Sequence, residues 1–389
     1  MNGTVVKLNQ LGRVGLVVGI LGAIFCVAGF VFDRRAFFVS YLFAFLFWTS
    51  LSLGCFYAGM IHYLTGGKWG FSARRFWEAG FMTLPLMAAL VAPIFFGLHE
   101  LYPWARANAV AADKILGHRE PYQNFTWFVV RTAVFFAIWI LIASCLRKWS
   151  LRQDVTDDPG PTVKIRALSG PAIGLVPLTA SFAFVDWAMT VAGDWSSTIF
   201  PVIQLAGQML MAIAFVIVLL AWTRRDRAFE GFGQKPFRDL ASLLLAFVLF
   251  WTYVAFSQVL LIYSANLPHE ISWYLGRIAN DWVWLAGVIA FFHFFAPFIF
   301  LLFRAVKENI PALAVIACLV FSVHAVEMFW VIAPSFYPAI EVHWTDFAAW
   351  FGMGGLWLAV FSRNMVRHPL LARNDPRQEQ IIAEVANAR

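Results

Sequence analysis

Residues 310–333 read IPALAVIACLVFSVHAVEMFWVIA. Ser322, His324 and Glu327 interrupt a run that is otherwise apolar. As a helix this stretch is about 36 Å long, enough to cross a hydrocarbon core of about 30 Å. Its apolar residues are continuous and do not alternate, which selects a helix over a barrel strand. A histidine and a glutamate three residues apart inside such a span demand a reason, because lipid does not solvate them.

The rest of the chain repeats the pattern. Hydrophobic residues make up 61% of the 389 and charged residues 13%, against about 25% charged in a soluble domain. Mean hydropathy is +0.72. Ten spans are expected, at about 14–32, 36–64, 78–102, 125–146, 168–192, 197–223, 238–264, 281–303, 310–333 and 344–362. The expected organisation is an N-terminal segment 1–13, one membrane domain 14–363, and a C-terminal tail 364–389. The first span is too long, and lacks the small-residue cleavage site, for a signal peptide, so it reads as an uncleaved helix.

Charge gives the orientation. With the N-terminus inside, 22 of the 29 Lys and Arg fall on inner segments and six on outer loops, with Arg131 inside a span. Arg74, Arg75 and Arg147 count among the inner ones. The positive-inside rule then places both termini in the cytoplasm. The net charge of +7 reports this bias, and no basic run with interleaved aromatics points to nucleic acid. Cys26, Cys55, Cys145 and Cys318 lie in apolar runs without CxxC or CxxCH spacing. Covalent c-type haem, thiolate zinc and iron–sulfur ligation are not expected in this chain.

Ionisable and amide groups inside the spans are therefore the functional candidates. They are Arg131, Asp186, Gln204, Gln208, Gln258, His293, His324 and Glu327. His324 and Glu327 are i, i+3 and share a helix face. Carboxyl and imidazole groups can exchange protons, with Ser322 and Trp330 near enough to join them; a static polar pair that fixes packing has the same pattern. His293 and His324 lie at nearly one depth on successive spans, which also allows a b-type haem clamp. Arg131 and Asp186 match in depth on spans four and five, as an ion pair would. Otherwise Asp186 continues a polar path with Gln204 and Gln208, which are i, i+4. No catalytic or metal-ligating residue is assigned.

Four stretches, SYLFAFLFWTSLSLGCFYAGMIHYLTGGKWG (40–70), DWAMTVAGDWSSTIFPV (186–202), LLAFVLFWTYVAFSQVLLIYSANLPHEISWYLGR (244–277) and FGMGGLWLAVFSRNMVRHPLL (351–371), carry a resemblance. Together they resemble the second large membrane subunit, the F subunit, of bacterial alternative complex III, in the superfamily of NrfD and polysulfide-reductase membrane subunits. The resemblance implies a ten-helix, cofactor-free subunit of a quinol:cytochrome c or cupredoxin oxidoreductase in the bacterial inner membrane. It implies partners: a paralogous quinone-binding membrane subunit, an iron–sulfur subunit and multihaem cytochrome c subunits. Haem c and iron–sulfur clusters would sit on those partners, with menaquinol or another quinol in the complex. It further implies scaffolding and a proton pathway near Asp186, His324 and Glu327. Two alternatives stay open: quinol binding by this subunit itself, and secondary transport.

Overall fold

The computed structural model describes residues 3–193, 195–224 and 234–376. These residues are 85% helical with no strand among them. Among the described residues, nine helices are long and apolar enough to cross a membrane: α1 (Gly3–Phe32), α2 (Arg34–Thr65), α3 (Trp69–Phe96), α4 (Phe125–Gln153), α5 (Gly160–Ala192), α6 (Phe200–Thr223), α7 (Lys235–Ala265), α8 (Trp282–Leu302) and α9 (Ile310–Ser335). The chain is thus an all-α, multi-pass membrane protein. The tenth expected span is helix α10 (Trp344–Val366), whose glycines and polar ends make it less apolar than the other nine.

Several expected boundaries move; α4 runs to Gln153 instead of 146 and α5 begins at Gly160 instead of 168. Helix α1 starts at Gly3, so most of the expected N-terminal segment 1–13 is its first turns. The third span starts near residue 68, ten residues earlier than expected, and is broken into Lys68–Phe81, Leu84–Leu90 and Ala92–Phe96. Pro85 and Pro93 explain the breaks, since each lacks an N–H and clashes with the carbonyl four residues back. Of the expected tail, residues 377–389 with Arg377 and Arg389 lie outside the described residues, as do Arg225 and Arg227.

Helix α2 is the axis of the bundle. Every residue of its most apolar stretch is buried, and α3, α5, α6, α9 and α10 pack around it. A helix apolar on all sides has no polar stripe to present and belongs in the centre. Helix α1 lies at the edge against α10. There the backbones nearly touch: a Cβ on Gly22 would lie 2.2 Å from Gly352 Cα, the close approach that small-residue helix pairs allow in lipid.

One end of the bundle is tied by a buried ionic cluster. Glu78 is 0% exposed and accepts hydrogen bonds from Tyr63 Oη (2.8 Å), Arg74 Nε (2.8 Å), Arg75 Nη1 (2.6 Å), Arg147 Nη1 (2.5 Å) and Ser150 Oγ (2.5 Å). Arg74 also pairs with Asp375 at 2.7 Å, and Arg75 with Asp154. The cluster joins α2, α3, α4 and the segment after α10. Arg74, Arg75 and Arg147, counted with the inner-segment charges, are all buried.

Candidate functional site

Helices α6, α7, α8 and α9 enclose the other concentration of buried polar groups. Helix α9 presents His324 and Glu327 inward, and both are buried. His324 Nδ1 lies 2.9 Å from Glu327 Oε2. Helix α8 brings His293 Nδ1 to 3.2 Å from the same oxygen, though off the line an aligned hydrogen bond needs. Helix α7 supplies Trp251, whose Nε1–H donates to Glu327 Oε1 at 2.9 Å. The indole also covers His293, with ring centroids 4.5 Å apart. Glu327 is therefore shared by two imidazoles on one oxygen and an indole on the other.

The position of His293 has a local cause. Pro297 cannot donate to the carbonyl of His293 four residues back, and its ring would clash there. The helix responds with a π-helical turn at Ala290–Phe295, in which Ala296 N–H donates to Phe291 O. Such single wide turns shift the helix phase and recur at functional sites. His293 is 0% exposed as a result.

On the opposite side of His324, α6 comes close at Gly207. A Cβ there would lie 2.7 Å from His324 Cε1 and 3.3 Å from Nδ1. Glycine is thus what leaves room for the ring. Neither His324 Nε2 nor His293 Nε2 has a hydrogen-bond partner.

A cavity of about 330 Å³ reaches Glu327. Its wall is aromatic, including Trp251, Trp273 and Phe294, with Gln204 and Gln258 as the other polar groups. Both amide atoms of Gln258 and the Gln204 oxygen lack partners, although both side chains are 2% exposed. Phe256 and Val259 on its rim are exposed to the lipid side. Arg277, from the short helix Pro268–Ile278, lies behind the cavity wall. Its guanidinium stacks 3.5 Å from the Trp273 ring centroid and donates to the Trp330 and Val331 carbonyls, capping the C-terminus of α9 as a cation should.

The expected residues separate into two groups. His293, His324, Glu327, Gln204 and Gln258 meet around the cluster and its cavity. Asp186 does not join them; it pairs with Arg131 through both guanidinium nitrogens, at 2.7 and 3.2 Å, and its other partner is Tyr122. Gln208 is buried one turn from Gln204, with its amide unpaired, and does not line the cavity. Ser322 is exposed on the far face of α9, and the Trp330 indole donates to Trp282 O, so neither joins Glu327. The two histidines that matched in depth, His293 and His324, both turn Nδ1 toward one Glu327 oxygen.

Trp251 and Gly207 are the members that sequence reasoning missed. Trp251 lies in the second of two LFWT stretches, 249–252, but one tryptophan among 18 carries no signal of its own. No protein-family model matches the chain, and no curated protein matches it.

Proposed function

We propose that this chain is a cofactor-free membrane subunit of a quinol:electron-acceptor oxidoreductase of the alternative complex III type, and that it passes protons through the Glu327 cluster. The observation that carries the proton role is the sharing of one buried carboxylate by two imidazoles. An imidazole can take a proton on Nε2 and release the one on Nδ1, passing one proton before its tautomer must be reset. The two unpartnered Nε2 atoms are the entry and exit, and Glu327 Oε2 is the group both Nδ1 atoms face. The Trp251 N–H fixes the carboxylate's orientation.

The assignment to such a complex rests on the four family-like stretches. In that setting the chain lies in the bacterial cytoplasmic membrane with both termini on the cytoplasmic side. It scaffolds iron–sulfur, multihaem and quinone-binding partners. Purification from native membranes should bring those partners with it. In the purified complex, Glu327→Gln should preserve assembly and lower the protons released per electron. An unchanged ratio in an intact complex sinks the relay.

A second reading is favoured by the cavity. Unpaired amides in an aromatic pocket open to lipid suit a quinol, whose ring is apolar and whose hydroxyls need partners. A quinone azide should then label residues around Gln258; labelling confined to another subunit counts against it.

A further inference from the structure

The His293–Glu327–His324 cluster is built from the ligand types of a transition-metal site. Two imidazole nitrogens and one carboxylate oxygen lie within 4.8 Å of one another, all buried. The Glu327 Oε2 separations of 2.9 and 3.2 Å can be compared with a tetrahedral ion. Bonds of about 2.0–2.1 Å put neighbouring ligand atoms roughly 3.3–3.4 Å apart. These two edges need only to open by a few tenths of an ångström. Three protein ligands leave a fourth position, and the cavity beside Glu327 has room for a water there.

Two further observations point to a ligand. His293 is fully buried and has no aligned hydrogen bond on either ring nitrogen, which is costly in a dry interior. The Trp251 N–H on Glu327 Oε1 is the outer-shell contact that orients a ligating carboxylate. The donor set also selects the ion. Mg²⁺ and Ca²⁺ take oxygen ligands, whereas imidazole with one carboxylate suits Zn²⁺ and its neighbours.

We propose that His293 Nδ1, His324 Nδ1 and Glu327 Oε2 bind a divalent ion of the zinc class. Binding requires each Nδ1 lone pair to face the ion, so each neutral ring carries its hydrogen on Nε2. A ring that was protonated releases one proton to solvent. Glu327 is then occupied by metal, and the site no longer exchanges protons. This inhibitory consequence rests on the relay reading above, whereas the site itself does not.

The test uses the whole purified complex, stripped with chelator and titrated with Co²⁺ as a spectroscopic probe. One Co²⁺ per chain should give the visible bands of a four-coordinate nitrogen–oxygen site, and Zn²⁺ should bleach them. His293→Ala, His324→Ala and Glu327→Gln should each abolish the bands. His118→Ala, at an exposed histidine of the short helix Lys114–Arg119, should keep them. Trp251→Phe should weaken binding about 10–100-fold, as outer-shell losses do. Unfolding midpoints, with His293→Gln as a second variant, separate loss of ligand from loss of fold. No saturable signal in the wild type, or bands that survive both histidine variants, overturns the site. Bands with an unaltered proton-to-electron ratio support the site and overturn the relay.

Discussion

Replacing Gly207 by alanine disturbs the cluster without touching a titratable group. The new Cβ would stand 2.7 Å from His324 Cε1, against about 3.5 Å for an unstrained carbon pair. The ring must retreat by about 0.8 Å, or α6 must move away from α9. Phe47 packs on the ring, at 6.1 Å between centroids, and limits the retreat. A movement of this size disturbs the 2.9 Å contact between His324 Nδ1 and Glu327 Oε2, which tolerates little displacement. Overpacking costs about 1–3 kcal/mol and the lost hydrogen bond about 0.5–1.5 kcal/mol. Better helix propensity returns about 1 kcal/mol. The net expectation is destabilisation by roughly 0.5–3.5 kcal/mol. Gly174→Ala, where nothing lies within 4 Å of the new Cβ, is the matched control and should gain up to about 1 kcal/mol. Equilibrium unfolding of both variants in mixed micelles measures the difference. If Gly207→Ala behaves like Gly174→Ala, the packing around His324 is wrong.

Glu78→Gln should destabilise by about 3–5 kcal/mol in the same assay, because it leaves three buried guanidinium groups around a neutral amide; a loss below about 1 kcal/mol would show that the cluster is solvated. Pro297→Ala restores an N–H to the His293 carbonyl, so the π-helical turn should relax and rotate His293 off Glu327 without lowering overall stability. Nitrogen resonances of labelled His293 report this, and unchanged shifts refute it. His368, just beyond α10, has its pKa held below the usual histidine value by burial and then by Arg147 and Arg75. The unfolded state therefore binds more protons in the window just below about 6.5, so stability should rise with pH there and fall on acidification. His368→Gln should flatten that slope, and an opposite slope in the wild type contradicts the assignment.

The helices were legible because lipid imposes one rule on every span: enough apolar residues to cross, with backbone bonds closed internally. That rule does not count turns precisely. Pro85 and Pro93 break α3 where composition alone continues it. Nor does it separate a loop arginine from a buried one. Arg147 meets Glu78 across 69 positions of sequence, and only the folded bundle reveals that its charge is already matched. The orientation expected from charge therefore rests on the other inner residues, such as Lys148, Arg152 and Lys164.

The site was legible in proportion to how local its contacts are. His324 and Glu327 are three apart on one helix, so periodicity alone joins them. His293 required a comparison of depths, and its inward aim required the response of α8 to Pro297. Trp251 and Gly207 act through shape, one as a lid and donor, the other as an absent side chain. Residue type does not announce either role in a chain with 18 Trp and 26 Gly. These silent members decide what the audible ones can do. Without the glycine His324 cannot sit beside Glu327, and without the indole the carboxylate's second oxygen is unpaired. The choice between proton exchange and static packing therefore turns on the two open Nε2 atoms. Proton exchange needs both of those atoms to be reachable by a donor or acceptor, whereas packing does not.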